Sequence, residues 1–367
     1  MKRIDTTRRG LMRNGLLGGA GILLSQMLRP LASAQVDAAP MAAGMPMDEG
    51  PMAHGAMTTV GEVDHARNGF DPHAMLTDWD VGKVSTLPDG RTLREYQLIA
   101  VDKEIEIAPG IFFPAWTYNG RVPGPTLRCT EGDRVRVNFV NAGSHPHTIH
   151  FHGVHAARMD GVPGVGRGVI MPGEQFTYEF DARPMGCHLY HCHAVPLKRH
   201  IHKGLYGAYI VDPDSEKHPE NAAVARSRLL GTPENARWQE MVMVMNAFDT
   251  NFDEANEVYA VNTVAHAYMK RPIPVDRNRP VRVYLVNVTE FDPVNSFHLH
   301  GNFFDYYDPG TQLTPTLRTV DTVMQCQAQR GILEFSFEDF EPGTYMFHAH
   351  QTEFPELGWM SAFEVHA

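Results

Sequence analysis

Four His-x-His pairs constrain this chain more than any other feature: His150/His152, His191/His193, His298/His300 and His348/His350. On a strand, residues i and i+2 point to one face, so each pair offers two imidazoles to the same side. The pairs belong to a plan that occurs twice. An alternating run at 134–141 precedes His150, and its counterpart at 281–287 precedes His298. Residues 176–180 lead through Gly186 to His191, and 333–337 lead through Gly343 to His348. Both copies close on a small-residue, apolar stretch, 204–211 and 358–365. One such pair is easily a surface feature. Four pairs in matching places of a repeat call for metal.

The runs alternate apolar with polar residues and are rich in Val, Tyr and Phe. Turn residues punctuate them, as at Asn119-Gly120, Pro172-Gly173 and Pro342-Gly343. Short strands at this spacing predict an all-β fold with one β-sandwich in each half. The 367 residues suffice for two such cores. The expected organisation is an export signal over 1–34 and a flexible Met-rich segment over 35–88. A first domain over 89–212, a linker over 213–239 and a second domain over 240–367 follow.

Residues 1–34 carry six basic side chains against one acid, Asp5. Thr7-Arg8-Arg9-Gly10-Leu11-Met12 reads as a twin-arginine signal, and Ala32-Ser33-Ala34 as a cleavage site. The apolar stretch between them is shorter than the ~20 residues a bilayer requires. The expectation is a periplasmic protein with no stable membrane insertion. A net charge of −11 repels phosphate backbones and argues against nucleic-acid binding. Met41, Met45, Met47, Met52 and Met57, with His54, offer soft donors suited to Cu(I), or a plain linker.

Eight imidazoles exceed what one ion needs, and imidazole alone suits copper, zinc, iron and nickel. Cys192 narrows the choice. It sits between His191 and His193, while His147 lies three residues before His150. Two histidines and a cysteine with a weak axial partner make a blue-copper electron-transfer site. The second histidine must come from the loop after Cys192, where His200 and His202 are both available.

These residues resemble the multicopper oxidases. The resemblance rests on His147-x-x-His150-x-His152-Gly153, His191-Cys192-His193, His298-Leu299-His300-Gly301 and Pro342-Gly343-Thr344-Tyr345-x-Phe347-His348-x-His350. Tyr118-Asn119-Gly120-Arg121-Val122-Pro123-Gly124-Pro125-Thr126, followed by Glu131-Gly132-Asp133, is similar to the family's first-domain opening. The likeness covers about 93 to 365 and is strongest to two-domain, laccase-like members, which are related to copper nitrite reductases. It implies two tandem cupredoxin-like Greek-key β-sandwich domains.

The resemblance also implies four coppers per chain. A type 1 copper would be held by His147, Cys192 and His200, with Leu205 as an axial residue that does not ligate. His200 lies five residues before Leu205, as the family pattern requires, whereas His202 lies three before and is the alternative. His150 and His298 would bind a type 2 copper; His152, His191, His193, His300, His348 and His350 would bind the type 3 pair. His191, Cys192 and His193 would then join the two centres covalently. Asp160 would deliver protons during O₂ reduction, or it forms a turn as Asp-Gly sequences do.

In the second half, Asn295, Ala349 and Phe354 stand where His147, Cys192 and His200 stand, so one type 1 site per chain is expected. Two-domain relatives are homotrimers that place one chain's first domain against a neighbour's second. The activity implied is oxidation of a small reducing substrate (a phenol, an aromatic amine or Cu(I)) coupled to reduction of O₂ to water. Reduction of nitrite to nitric oxide is the enzymatic alternative. Copper sequestration without turnover is the non-enzymatic one.

Overall fold

A computed structural model describes residues 61–367. The expected signal and the methionines at 41–57 lie outside the described residues. Among those described, no helix is long and apolar enough to cross a membrane.

Each half is a pair of sheets. In the first, Thr92–Ala108 pairs in parallel with Arg134–Asn141, which runs antiparallel to Gln175–Asp181. The facing sheet runs Trp79–Asp80, Thr126–Thr130, Tyr206–Asp212, Gly186–His191, His150–Phe151. The second half repeats the scheme. Gln239–Phe248 pairs in parallel with Val281–Asn287, which runs antiparallel to Arg330–Phe335. Its facing sheet runs Ile273–Asp276, Met360–His366, Gly343–His348, Val294–Leu299, Thr322–Cys326.

Alternation decides the outer sheet of the first half. In Arg134–Asn141, Val135, Val137 and Phe139 turn inward, while Arg134, Arg136 and Asn138 do not. Four other strands do not alternate in burial. Gly186–His191, Tyr206–Asp212 and Val281–Asn287 are buried throughout, and Gln239–Phe248 nearly so. The two halves meet along these strands. Leu189, Ala208 and Ile210 of the first share a core with Val242, Val244, Tyr284 and Val286 of the second. A strand covered on both faces has no solvent side to alternate toward.

The expectation of a flexible segment reaching residue 88 is corrected for residues 61–88. Short helices His65–Asn68 and Pro72–Met75 are each capped by an aspartate, Asp64 and Asp71, whose carboxylate accepts a first-turn N–H. Phe70, Met75 and Leu76 are buried, and Leu76 anchors the second-half core. Scattered apolar residues without periodicity left nothing for a sequence reading to hold.

Residues 213–239 are likewise more than a connector. They carry the helix Ala222–Arg228, whose Arg228 is buried against Glu334 at 3.1 Å. Arg282 bridges Glu334 at 2.8 Å and Glu240 at 2.7 Å, and Arg128 of the first half reaches Glu240 at 2.7 Å. Burial pushes the Glu334 carboxyl up, but Arg228 and Arg282 outweigh it and hold the carboxyl down to about 2. Removing one partner from such a buried network costs about 3–5 kcal/mol, because the other charge is left uncompensated.

Candidate metal centres

The first centre gathers around Cys192, the residue after the strand Gly186–His191. Its N–H donates to the Leu205 carbonyl at 2.9 Å, tying it to the return strand. Gly204 precedes Leu205 at φ +110°, and a Cβ there would meet Val122 at 2.6 Å. His147 is fixed by reciprocal backbone bonds to Ile170, and His200 rides the short helix Leu197–His202. The Cys192 Sγ lies 3.3 Å from His200 Nδ1 and 3.9 Å from His147 Nδ1, and the two Nδ1 atoms are 3.2 Å apart. All three side chains are buried.

Burial governs the electrostatics. It pushes the Cys192 thiol up to about 11, and His147 and His200 down to about 3 and about 4. Both imidazoles are therefore neutral, with lone pairs ready to donate. A thiol held protonated by burial releases its proton to solvent when a cation binds the sulfur. Two imidazole nitrogens and one sulfur converging on a dry point are a donor set that fits copper. Leu205 is wholly buried in the same core as Cys192 and brings no donor atom. His202 is not part of this group. Its Nε2 accepts the Asp249 N–H at 2.9 Å, and its ring lies against Phe113 and Phe291.

The second centre lies on the other side of Cys192. Strand pairing sets His150 opposite His191, and the ring of His150 lies 5.2 Å from His152 and 5.4 Å from His193. These four histidines line a cavity of about 280 Å³ with Leu189, Val288 and Gln327. The third centre repeats this in the second half. His298 stands opposite His348, with His300 and His350 at 4.9 and 5.2 Å from the His298 ring. Burial pushes His152 down to about 2 and His191 to about 4, and lowers His150, His300 and His348 as well.

Backbone carbonyls set the tautomers. His150 and His191 donate Nδ1–H to the carbonyls of Asp160 and Cys192, each at 2.9 Å. His298 and His348 do the same to Asp321 at 3.0 Å and Ala349 at 2.5 Å. Each ring therefore presents Nε2 to its neighbours, which is how a metal-binding histidine is oriented. The Nε2 atoms of His152 and His191 approach to 3.2 Å, and those of His300 and His348 to 2.8 Å. A cation between such lone pairs would replace their mutual repulsion with attraction. Among the described residues, no ring contact joins the first quartet of histidines to the second.

Several contributors were not singled out from the sequence. The Thr148 N–H donates to Cys192 Sγ at 3.3 Å, and its hydroxyl accepts the His193 N–H at 2.8 Å. Ser296 does the second of these for His350, at 2.7 Å. A hydroxyl residue stands two before each His-x-His-Gly, so the signal was present in the repeat. Arg330 reaches across from the second half to His152 Nδ1 at 3.4 Å, and no motif announces it. Asp160 does lie at the site, its carboxylate 3.1 Å from His150 Nδ1. All four cysteines are free.

Facing sheets that carry a buried His₂Cys group beside paired histidines define a copper redox protein. Profiles of the multicopper oxidases match residues 102–216 and 235–367. A solved structure described as a multicopper oxidase is 55% identical, covers 83% of this chain and 100% of its own, and superimposes with a TM-score of 0.76. A copper-containing nitrite reductase of Neisseria meningitidis serogroup A is 37% identical over 115 residues, 31% of this chain and 29% of that protein. Laccase-2 of Botryotinia fuckeliana is 31% identical over 177 residues, 47% of this chain and 29% of that protein. The chain thus spans less than a third of the length of these curated relatives. It belongs to the multicopper oxidase family, with the all-β, cupredoxin-like fold of that family, and is an oxidoreductase that uses copper.

Proposed function

We propose that this chain is an exported, periplasmic oxidase, working as a homotrimer. It would take electrons one at a time from a small reducing substrate, phenolic, aromatic amine or Cu(I), and reduce O₂ to water. The observation that carries this reading is the position of Cys192. Its sulfur belongs to the first triad, while its two sequence neighbours, His191 and His193, belong to the second group. Copper at His147, Cys192 and His200 would supply one-electron exchange, and copper at the two histidine quartets would supply the site of O₂ reduction.

The chain's own residues do the rest. Buried Leu205 brings no thioether to the first triad, which favours Cu(I) over Cu(II) and a high potential. The Asp160 carboxylate, beside His150 and His155, is placed to hold a proton at the edge of the second group. Each half contributes one quartet of its own, and a closed ring in which one chain's first half meets a neighbour's second would bring two quartets together.

The test is copper per chain in the purified full-length protein, with visible and EPR spectra and O₂ uptake on a phenol. Four coppers, an intense blue thiolate band and steady O₂ consumption are expected. Two coppers with nitrite turnover would favour the second reading, nitrite reduction, which the Neisseria relative supports. Copper binding without turnover would mean sequestration.

A further inference from the structure

Beside the thiol-bearing triad lies a buried cation that the proposed chemistry does not use. Lys203, one residue beyond the His200 helix, is 6% exposed. Its ammonium sits 4.9 Å from the Phe252 ring centre, 5.0 Å from Phe113 and 5.8 Å from Trp116. Two of these rings come from the strand Ile111–Tyr118, and the third from a second-half loop. Burial and the nearby Arg199 guanidinium push its pKa down to about 8, while the Asp102 carboxylate, which also accepts the Ser144 N–H at 3.0 Å, attracts it. An aromatic cage holds a cation without cancelling its charge.

The cage opens onto the triad. The Trp116 backbone N–H donates to the Lys203 carbonyl at 2.8 Å. Its indole ring centre lies 4.8 Å from that of His200 and 5.3 Å from that of His147. A single ring thus neighbours the ammonium and both imidazoles. In so dry a place a unit charge acts far more strongly than in water.

We propose that Lys203 is a positioning residue for the type 1 centre, its caged ammonium raising that centre's preference for the reduced state. The physical reason is the change in metal charge. Cu(II) carries one more positive charge than Cu(I), so a nearby uncancelled cation destabilises the oxidised form more. The cage keeps the ammonium close, and Phe252 makes its dryness depend on the second half.

The inference rests on His147, Cys192 and His200 holding type 1 copper. The test is redox titration of the copper-loaded full chain against a one-electron mediator, followed by the blue absorption, for Lys203→Met and Lys203→Arg. The Met variant should shift the equilibrium toward the oxidised form by about tenfold, which is ~59 mV for one electron. The Arg variant should stay within about twofold of the parent. An unchanged Met variant overturns the proposal. So does an Arg variant that shifts as far as the Met variant, since packing would then be the cause. Should Lys203→Met fail to fold, Phe252→Leu lets water into the cage and should shift the equilibrium the same way by less; no shift there overturns the proposal too. A parent chain without blue absorption overturns the reading of the triad itself. A blue parent with an unmoved Met variant overturns only the role of Lys203.

Discussion

The two halves share one scaffold and differ at one point. In the first, His147, Cys192 and His200 converge on a dry space beside Leu205. In the second, the same positions hold Asn295, Ala349 and Phe354, and Trp359 replaces Leu205. Trp359 is wholly buried, and its indole N–H donates to Asn295 Oδ1 at 3.1 Å. Phe354 stacks on Tyr259 with ring centres 4.0 Å apart. Where the first half keeps donor atoms facing one another, the second half fills the volume with aromatic packing and a satisfied amide. The histidine quartet beneath is the same in both. A β-sandwich can therefore lose one metal-binding group without disturbing the other, because the two lie on opposite sides of the Cys192 or Ala349 strand end.

The largest expected effect tests whether the quartets meet across subunits. His152→Ala and His300→Ala should each abolish O₂ consumption. Chains of both kinds assembled together should recover about a quarter of the parent rate, since random mixing rebuilds that share of intact interfaces. No recovery would mean that each cluster forms within one chain.

Next comes the packed counterpart. Trp359→Ala should cost about 3–5 kcal/mol in denaturant unfolding, as loss of a large core side chain does, and leave the blue absorption unchanged. A loss below about 1 kcal/mol would show that the indole is not what fills the second pocket.

The third contrast is acid sensitivity. His147 and His200 have folded pKa values of about 3 and about 4, below the ordinary 6.5. The unfolded chain takes up protons first, so stability of the copper-free protein is full above about pH 6.5 and falls as pH drops toward 4. His147→Asn, which copies the second half at this position, should flatten melting temperature against pH in that window. An unaltered slope would assign the acid loss to other buried histidines such as His188 and His191, both also near 4.

The smallest contrast concerns the hydroxyls. Thr148→Val keeps the backbone N–H on Cys192 but removes the hydroxyl that accepts from His193 and lies 3.9 Å from the Cys192 sulfur, and should lower copper affinity about 10–100-fold and shift the blue band. Ser296→Ala touches only the His350 side, so it should weaken copper binding without moving that band. Equal spectral shifts would erase the distinction.

Much of this was legible in the chain itself. The repeat, the His-x-His pairs and the position of Cys192 between two histidines are local, and strand geometry alone turns them into shared faces. The replacement of three ligand types at once in the second half could also be read by aligning the copies. The choice of His200 over His202 rests in the sequence only on the family's spacing to Leu205, because two residues apart on a short helix they face different neighbours. Only the fold sends His202 toward Asp249 and His200 toward Cys192. The order of residues 61–88 was hidden for a similar reason, since it comes from distant contacts with both halves: Leu76 in the second-half core, Phe70 and Met75 in the shared core, and pairing with first-half strands.

Local pattern in the chain is enough to specify two β-sandwiches, a thiol flanked by histidines in the first and a histidine quartet in each. These are properties of neighbours along the chain and of period-two geometry. Tertiary structure alone decided that four strands lose their polar face where the halves meet and that carbonyls from distant loops orient the imidazoles. It also brought Arg330 to the first histidine quartet and the cage around Lys203 to the thiol triad from separate parts of the chain. Those outcomes depend on which surfaces come together, and no local pattern encodes that.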